Sequence, residues 1–196
     1  MWDQRYAEEG FAYGTNPNDF LKESTDKLLP GGNILCLAEG EGRNAVYLAE
    51  RGFTVSCVDL SPVGLEKAAA LAQSRSLSIQ TCVADLKDYQ IAENSYDAII
   101  SIFCHLPPPI QEHVHGQIHK GLRPGGLFVL EGFSKQQLYY HTGGPRKAEM
   151  LMDLDSVKRQ LKPLCFQHAT ETERIIREGN YHNGKCAVIQ IIAIKE

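Results

Sequence analysis

Gly40-Glu41-Gly42 and Asp59 are the residues in this chain whose types and spacing most clearly could do chemistry. The glycine pair follows a short apolar run, Ile34 to Ala38, and leads into a helix-forming stretch, Arg43 to Arg51, that Gly52 stops. A strand, a glycine turn and a helix in that order offer free backbone N–H groups and a partial positive charge to an anionic ligand group. Glycine also lets the backbone turn sharply and lets a ligand come close. Nineteen residues past Gly40, Asp59 ends a second apolar run, Phe53 to Val58. By the spacing of the dinucleotide fingerprint, a carboxylate there accepts hydrogen bonds from both hydroxyls of a ribose. His113, His115 and His119 raise a metal reading, because the last two are four apart and would share a helix face. No third ligand stands at a familiar spacing, so they read as solvent-exposed side chains and no metal is expected.

These groups need a scaffold, and the chain around them supplies one in regular alternation. Pro30-Gly31-Gly32 bounds the first strand, and Asn18 to Leu29 before it reads as a helix that Pro30 ends. Trp2 to Gly14 is an arm rich in aromatics (Trp2, Tyr6, Phe11, Tyr13), either packed on the core or laid as a flap over a bound cofactor. Ser61-Pro62 reads as an N-cap and first helical position, opening an alanine- and leucine-rich helix to about Arg75. Leu77 to Val83 alternates as a third strand and ends at Ala84-Asp85-Leu86. Tyr96 to Phe103 is a fourth, of the continuously apolar kind buried on both faces. Pro107-Pro108-Pro109 starts a helix that ends near Leu122, and Arg123-Pro124-Gly125-Gly126 turns into a fifth strand, Leu127 to Glu131. Five strands separated by helical patterns require right-handed crossovers and a parallel sheet. Residues 132–162 differ in character and read as a lid region. They hold Tyr139, Tyr140, His141 and Gly143-Gly144-Pro145 in a loop, then a helix from Asp153 to Leu161. Cys165 to Arg177 and Lys185 to Lys195 read as two long strands, and the turn residues Gly179 to Gly184 fold them into an antiparallel hairpin.

At 196 residues the chain is most simply one domain, 1–196, with enough length for a substantial core. A formal charge of −4 argues against a dedicated nucleic-acid binder, which would show a basic face. No apolar run approaches the roughly 20 residues a membrane helix needs. Asp3, Arg5, Glu8 and Glu9 leave no room for the apolar segment of a secretory signal, so the expected location is cytoplasmic. The six cysteines include no Cys-x-x-Cys pair, and Cys36, Cys57, Cys82 and Cys104 fall in or beside apolar strand runs. They read as buried, reduced thiols.

Read together, these residues resemble the class I S-adenosylmethionine-dependent methyltransferases over nearly the whole chain, and within them the small single-domain branch that includes the tellurite-resistance methyltransferases. The family's first motif, hydrophobic-acidic-hydrophobic-Gly-x-Gly-x-Gly, stands here as Leu35-Cys36-Leu37-Ala38-Glu39-Gly40-Glu41-Gly42. Cys36 replaces the acidic residue, with Glu39 placed to take over part of its role. Ala38 replaces the first glycine, where a methyl group is tolerated at negative φ. Val58-Asp59-Leu60-Ser61 matches the second motif, implying that Asp59 binds the ribose. Ala84-Asp85-Leu86 matches the third, implying that Asp85 meets the adenine amino group and the Leu86 N–H the ring. The strand from Asp97 to Ser101, followed by Phe103-Cys104-His105-Leu106, resembles the fourth, beside the methionine moiety, and Leu122 to Gly126 resembles the turn before the fifth strand. The resemblance implies an α/β, three-layer, Rossmann-like fold. Its seven-stranded sheet, in the order 3-2-1-4-5-7-6, would be mostly parallel and end in the antiparallel hairpin. It implies S-adenosyl-L-methionine as cofactor, with Tyr6, Tyr13, Ala38, Glu39, Gly40, Gly42, Arg43, Asp59, Leu60, Asp85, Leu86 and Ser101 as binding residues.

Methyl transfer is an in-line displacement from a sulfonium, so the protein mainly contributes position and desolvation. Holding the reacting atoms in line is worth up to about 7–11 kcal/mol in ideal cases. A base is required only where the nucleophile must lose a proton. The candidates are His105, just past the fourth strand, and Tyr139, Tyr140 and His141 in the lid. His105 could otherwise cap the following helix, and the lid residues could lie on a surface loop. Arg43, in the first helical turn, could meet the cofactor carboxylate or an anionic substrate, or be a solvated helix residue. The expected partner is a small-molecule methyl acceptor, with no nucleic acid and no membrane; oligomeric state is open. Two alternatives remain. One is a non-catalytic S-adenosylmethionine-binding protein, which the altered Cys36 and Ala38 motivate. The other is an NAD(P)-dependent oxidoreductase, since Gly40 to Ala45 fits G-x-G-x-x-G/A and Tyr181 to Lys185 has a Tyr-x-x-x-Lys spacing. That spacing works on a helix, whereas Asn183-Gly184 reads as a turn.

Overall fold

A computed structural model describes residues 2–196. At its centre is β1 (Asn33–Leu37), four of whose five residues are buried. Parallel to it run β2 (Thr54–Asp59) on one side and β4 (Tyr96–Ile102) on the other. Outside these, again parallel, lie β3 (Gln80–Val83) beside β2 and β5 (Leu122–Phe133) beside β4. The chain then reverses. β7 (His182–Ile194) pairs antiparallel with β5, and β6 (Cys165–Glu178) pairs antiparallel with β7 at the far edge. The sheet order is β3-β2-β1-β4-β5-β7-β6, as the resemblance implied.

Alternation along β1 builds two separate apolar layers. Leu35 and Leu37 face one side of the sheet with Ile99, Phe128 and Leu130, covered by α5 (Pro108–Gly121) and α6 (Leu154–Gln160) through Val114, Ile118 and Val157. Ile34 and Cys36 face the other with Ile100 and Val129. There α2 (Asp19–Ser24), α3 (Arg43–Glu50) and α4 (Pro62–Ser74) cover them through Leu21, Leu48 and Leu65. Each fully buried aliphatic or phenyl side chain contributes about 1.5–3 kcal/mol, so helices on both faces hold the parallel strands in place. Side-chain caps set where the helices begin. Ser61 Oγ accepts from the Gly64 N–H ahead of Pro62, Asp153 from Ser156, and Asn18 from Leu21. The arm before α2 carries a short helix, α1 (Trp2–Tyr6).

Several expectations need correction. The third strand is shorter than Leu77–Val83, and all four of its residues are exposed because it has only one neighbour and little helix cover. Cys82 is exposed with it, and Cys165 is half-buried. All six thiols are free, with Cys36, Cys57, Cys104 and Cys186 buried. The helix expected over 18–29 is α2 followed by a 3-10 turn, Thr25–Lys27. Residues 132–162 hold the end of β5, 3-10 turns at Lys135–Tyr139 and Ala148–Met150, and α6. His115 is buried, not solvent-exposed, because α6 packs on α5 and brings Gln160 Oε1 to 2.7 Å from its Nδ1. Among the described residues no helix is long and apolar enough to cross a membrane.

Candidate functional site

In an open α/β sheet the ligand crevice lies outside the C-terminal strand ends where the strand order reverses, here those of β1, β2 and β4, and the backbone there is strained. Ala38 after β1 has φ +50° and Phe103 after β4 has φ +52°. Ala38 thus lacks the negative φ at which its methyl group would be tolerated without strain. A left-handed conformation costs an L-residue roughly 1–2 kcal/mol, and such outliers cluster at sites where the surroundings hold them. Gly40, with φ +62°, continues the turn, and Gly42 (φ +85°) caps α3. Asp59 ties the turn to β2, its Oδ2 accepting from Gly40 N–H and its Oδ1 from Ser61 N–H, both at 2.8 Å. Burial raises the Asp59 carboxyl above its usual value against those two bonds.

Tyr6 of α1 lies directly on this turn. A Cβ at Gly40 would meet its hydroxyl at 2.5 Å, and one at Gly64 its ring at 2.8 Å, so these two glycines form the slot that admits the ring. Asp3, one turn earlier, accepts from Ser61 Oγ. The arm is thus laid over the glycine turn. Glu39 caps α3, its Oε1 accepting from the N–H groups of Asn44 and Ala45 at 2.9 Å. Burial pushes its carboxyl up to about 7. Leu60 is exposed, Leu86 and Ser101 are buried, and Asp85 is half-buried with its Oδ1 accepting from the Lys87 N–H.

Beside the crevice is a cavity of about 750 Å³. His105, Tyr140, His141 and Tyr13 all line it, together with Trp2, Arg5, Arg146, Tyr181 and His182. The groups differ in what they have left to offer. His105 has both ring nitrogens engaged: Nδ1 donates to the Met150 carbonyl at 3.0 Å and Nε2 accepts from the Phe133 N–H at 3.1 Å. Burial brings it down to about 4, so it is a neutral clamp with no free lone pair, which removes it as the base in this arrangement. Tyr140 donates its hydroxyl to Glu173. His141 lies exposed at the rim. Tyr181 and Lys185 do not form a pair: the first donates to Glu8 and the second bridges Glu173 at 2.7 Å.

Arg43 is neither solvated nor free for a ligand carboxylate. It is buried, with Nη2 2.7 Å from Glu178 Oε2. Glu178 also accepts from Asn18 Nδ2 at 2.9 Å and lies 3.2 Å from His182 Nδ1. Next to it Glu131, fully buried in β5, accepts from Arg174 Nε and Nη2 (2.8 and 2.7 Å), Asn18 Nδ2 (2.6 Å) and Gln190 Nε2 (2.7 Å). Two carboxylates and two guanidinium groups thus balance in charge, as burial requires. Arg43 and His182 hold Glu178 down at about 2. Sequence reading placed His182 in a turn and missed it. The available signal was Glu178 and His182 flanking that turn, which makes them cross-strand partners in a tight hairpin.

Residues 34–126 match the family model described as a methyltransferase domain. A 2-heptyl-1-hydroxyquinolin-4(1H)-one methyltransferase of Mycobacteroides abscessus is 29% identical over 117 residues, 58% of this chain and 52% of that protein. An uncharacterized methyltransferase of Synechocystis is 33% identical over 103 residues, 52% of this chain and 47% of its own length. The chain spans about half the length of these curated relatives. The crystal structure of TehB from Haemophilus influenzae superposes with a TM-score of 0.74 at 20% identity, covering 91% of this chain and 62% of that one, a likeness of fold. The matched segment contains the strained glycine turn and Asp59. Residues 34–126, just under half of the chain, are thus similar to a methyltransferase domain, and the whole sheet has the fold of solved S-adenosylmethionine-dependent methyltransferases.

Proposed function

We propose that this chain transfers the methyl group of S-adenosylmethionine to a small-molecule acceptor held in the cavity beside the crevice. The observation that carries this reading is that α1 borders both spaces. Asp3 and Tyr6 lie on the crevice at Ser61 and Gly40, while Trp2 and Arg5 line the cavity. The crevice residues fit the cofactor chemically. Asp59 uses one lone pair on each oxygen for the backbone and keeps acceptor capacity for a pair of ribose hydroxyls. Asp85 and the Leu86 N–H are available at the next strand end. The bound cofactor supplies an electrophilic methyl carbon and a thioether leaving group.

The chain's own contribution is placement and exclusion of water. Tyr6 covers the turn, and burial keeps its hydroxyl protonated and able to donate. Trp2, Tyr13 and Tyr181 give the cavity aromatic walls that suit a flat acceptor, in keeping with the quinolone named for the Mycobacteroides relative. Six unpaired thiols suit a reducing compartment, consistent with action in the cytoplasm.

Calorimetry with S-adenosylhomocysteine and with NADH on one preparation tests the reading. Binding of the first alone is expected, and binding of NADH alone overturns it. Asp59→Ala is expected to weaken S-adenosylhomocysteine binding by about 1–3 kcal/mol through the lost charged acceptor. Unchanged affinity in that variant would remove Asp59 from the site. Cofactor binding without transfer to any acceptor would leave a binding protein, not an enzyme.

A further inference from the structure

We infer that His182 is the general base of this site, positioned by Glu178, and that the acceptor carries an acidic X–H group: a thiol, a phenol or an N-hydroxyl. The inference rests on the methyl-transfer reading above and adds to it the proton's route. His182 Nδ1 lies 3.2 Å from Glu178 Oε2, and because a carboxylate only accepts, Nδ1 carries the hydrogen. That leaves the lone pair on Nε2. Among the described residues Nε2 has no hydrogen-bond partner, yet the one fully buried side-chain nitrogen or oxygen without a partner is His168 Nε2. His182 Nε2 therefore reaches open space, and the space that His182 lines is the cavity.

The ring's plane is fixed on several sides. Its centroid lies 4.5 Å from Tyr13, 4.7 Å from Phe103 and 5.0 Å from Phe133. Phe103 is the strained residue that follows β4 at the crevice, so the base stands one aromatic ring away from it. The charged and titratable groups facing His182 are Glu178 from β6, Arg43 from α3, Arg5 from α1, Tyr13 from the arm and His105 from the loop after β4. Burial lowers the ring's proton affinity, Glu178 raises it, and the balance falls below the usual histidine range, leaving the ring neutral at pH 7. A base must be orientated and supplied with a partner for the proton it gains, and Glu178 does both. His105, in the same cavity, has neither nitrogen to spare.

The lining agrees with an acceptor that develops negative charge. Arg5 and Arg146 contribute two guanidinium groups, and among the described residues no Asp or Glu side chain lines the cavity. In the step, the acceptor atom X forms its bond to the methyl carbon while the sulfur–methyl bond breaks and its electrons return to sulfur as a neutral thioether. The X–H proton passes to Nε2, and the imidazolium, paired with Glu178, then releases it to solvent.

Two measurements on the full chain test this. Nitrogen-15 NMR of labelled histidine is expected to show His182 as the Nδ1–H tautomer with an unprotonated Nε2 at pH 7. The reverse tautomer overturns the assignment. Methyl transfer is then followed to benzyl mercaptan, 4-methylphenol and 1-hydroxyquinolin-4-one, with pyridine as the acceptor that has no proton to lose. Wild type is expected to methylate at least one of the three and not pyridine. His182→Asn should lower kcat about 10²–10⁴-fold and abolish the rising limb of the pH profile, with S-adenosylhomocysteine affinity retained as the check on folding. Glu178→Gln, the positioning residue, should move that limb and weaken the Nδ1–H signature. A His182→Asn enzyme with full rate and an intact limb overturns the base alone. A wild type that binds S-adenosylhomocysteine but methylates none of the three, or only pyridine, overturns the acceptor class. Failure to bind S-adenosylhomocysteine at all removes the methyl-transfer reading, and the base with it.

Discussion

The crevice over β1 and β2 and the cavity against the β6–β7 turn are built from different materials. The crevice is made of backbone: two strand ends, a glycine turn with left-handed residues, and N–H groups gathered by Asp59 and Glu39 within a short stretch of chain. The cavity is made of side chains held by a buried ionic cluster whose members, Asn18, Arg43, Glu131, Arg174, Glu178 and His182, come from five separate segments. A backbone device tolerates side-chain change but depends on conformation. An ionic cluster fixes orientation, yet fails when one member is removed, because the remaining charge is stranded away from water.

Removing one guanidinium tests that difference most severely. Arg174→Ala leaves Glu131 buried without its bidentate partner and is expected to cost about 3–5 kcal/mol, read as a lower denaturant midpoint. A loss below about 1 kcal/mol would mean that Asn18 and Gln190 suffice and that the cluster is not a unit.

The two regions should also answer pH with opposite signs. His105, on the cavity side, has a folded value of about 4 against 6.5 unfolded, and buried His115 behaves alike. Below 6.5 the unfolded chain binds more protons, so their contribution is present above about 6.5 and lost as pH falls towards 4. Glu39, on the crevice side, has a folded value of about 7 against 4.5, so the folded chain holds the extra proton between these values. Its contribution therefore declines as pH rises from about 4.5 to 7. Denaturation of Glu39→Gln and wild type across this range should show the variant gaining relative stability towards pH 7. Parallel curves would place Glu39 in a more open setting.

The smallest effect expected is at Ala38. Glycine there would relieve a left-handed φ costing roughly 1–2 kcal/mol, less the roughly 0.5–1 kcal/mol of extra chain entropy glycine loses on folding. A net gain of about 0.5–1 kcal/mol should appear in the melting temperature. A loss would show that the alanine methyl packs in a way that outweighs its strain.

The same contrast governs what the sequence made legible. Gly40, Asp59, the five parallel strands and the hairpin could be read because glycine, apolar runs and their spacing act locally. The conformation of Ala38 could not, since alanine at φ +50° goes against its own preference and is imposed by β1 and β2 around it. The settings of Arg43 and His115 were equally hidden, because their partners, Glu178 and Gln160, lie 135 and 45 residues away. The turn is tighter than the 179–184 read from its residue types, since His182 to Gly184 already belong to β7, and nothing in turn chemistry says that a residue beside it points into a cavity. His182 was therefore passed over, while His105, better placed in the motif, proved to have both nitrogens occupied.

Strand β3 is four residues long, exposed throughout, and paired on one side only. Opening it breaks few bonds and uncovers little apolar surface, so in native-state hydrogen exchange the amides of 80–83 should be the first of the sheet to lose protection. Asp85 and Leu86 follow directly on that strand. A ligand gripping them would have to still the loosest edge of the sheet, spending part of its affinity on order and returning slower exchange in a strand it does not touch.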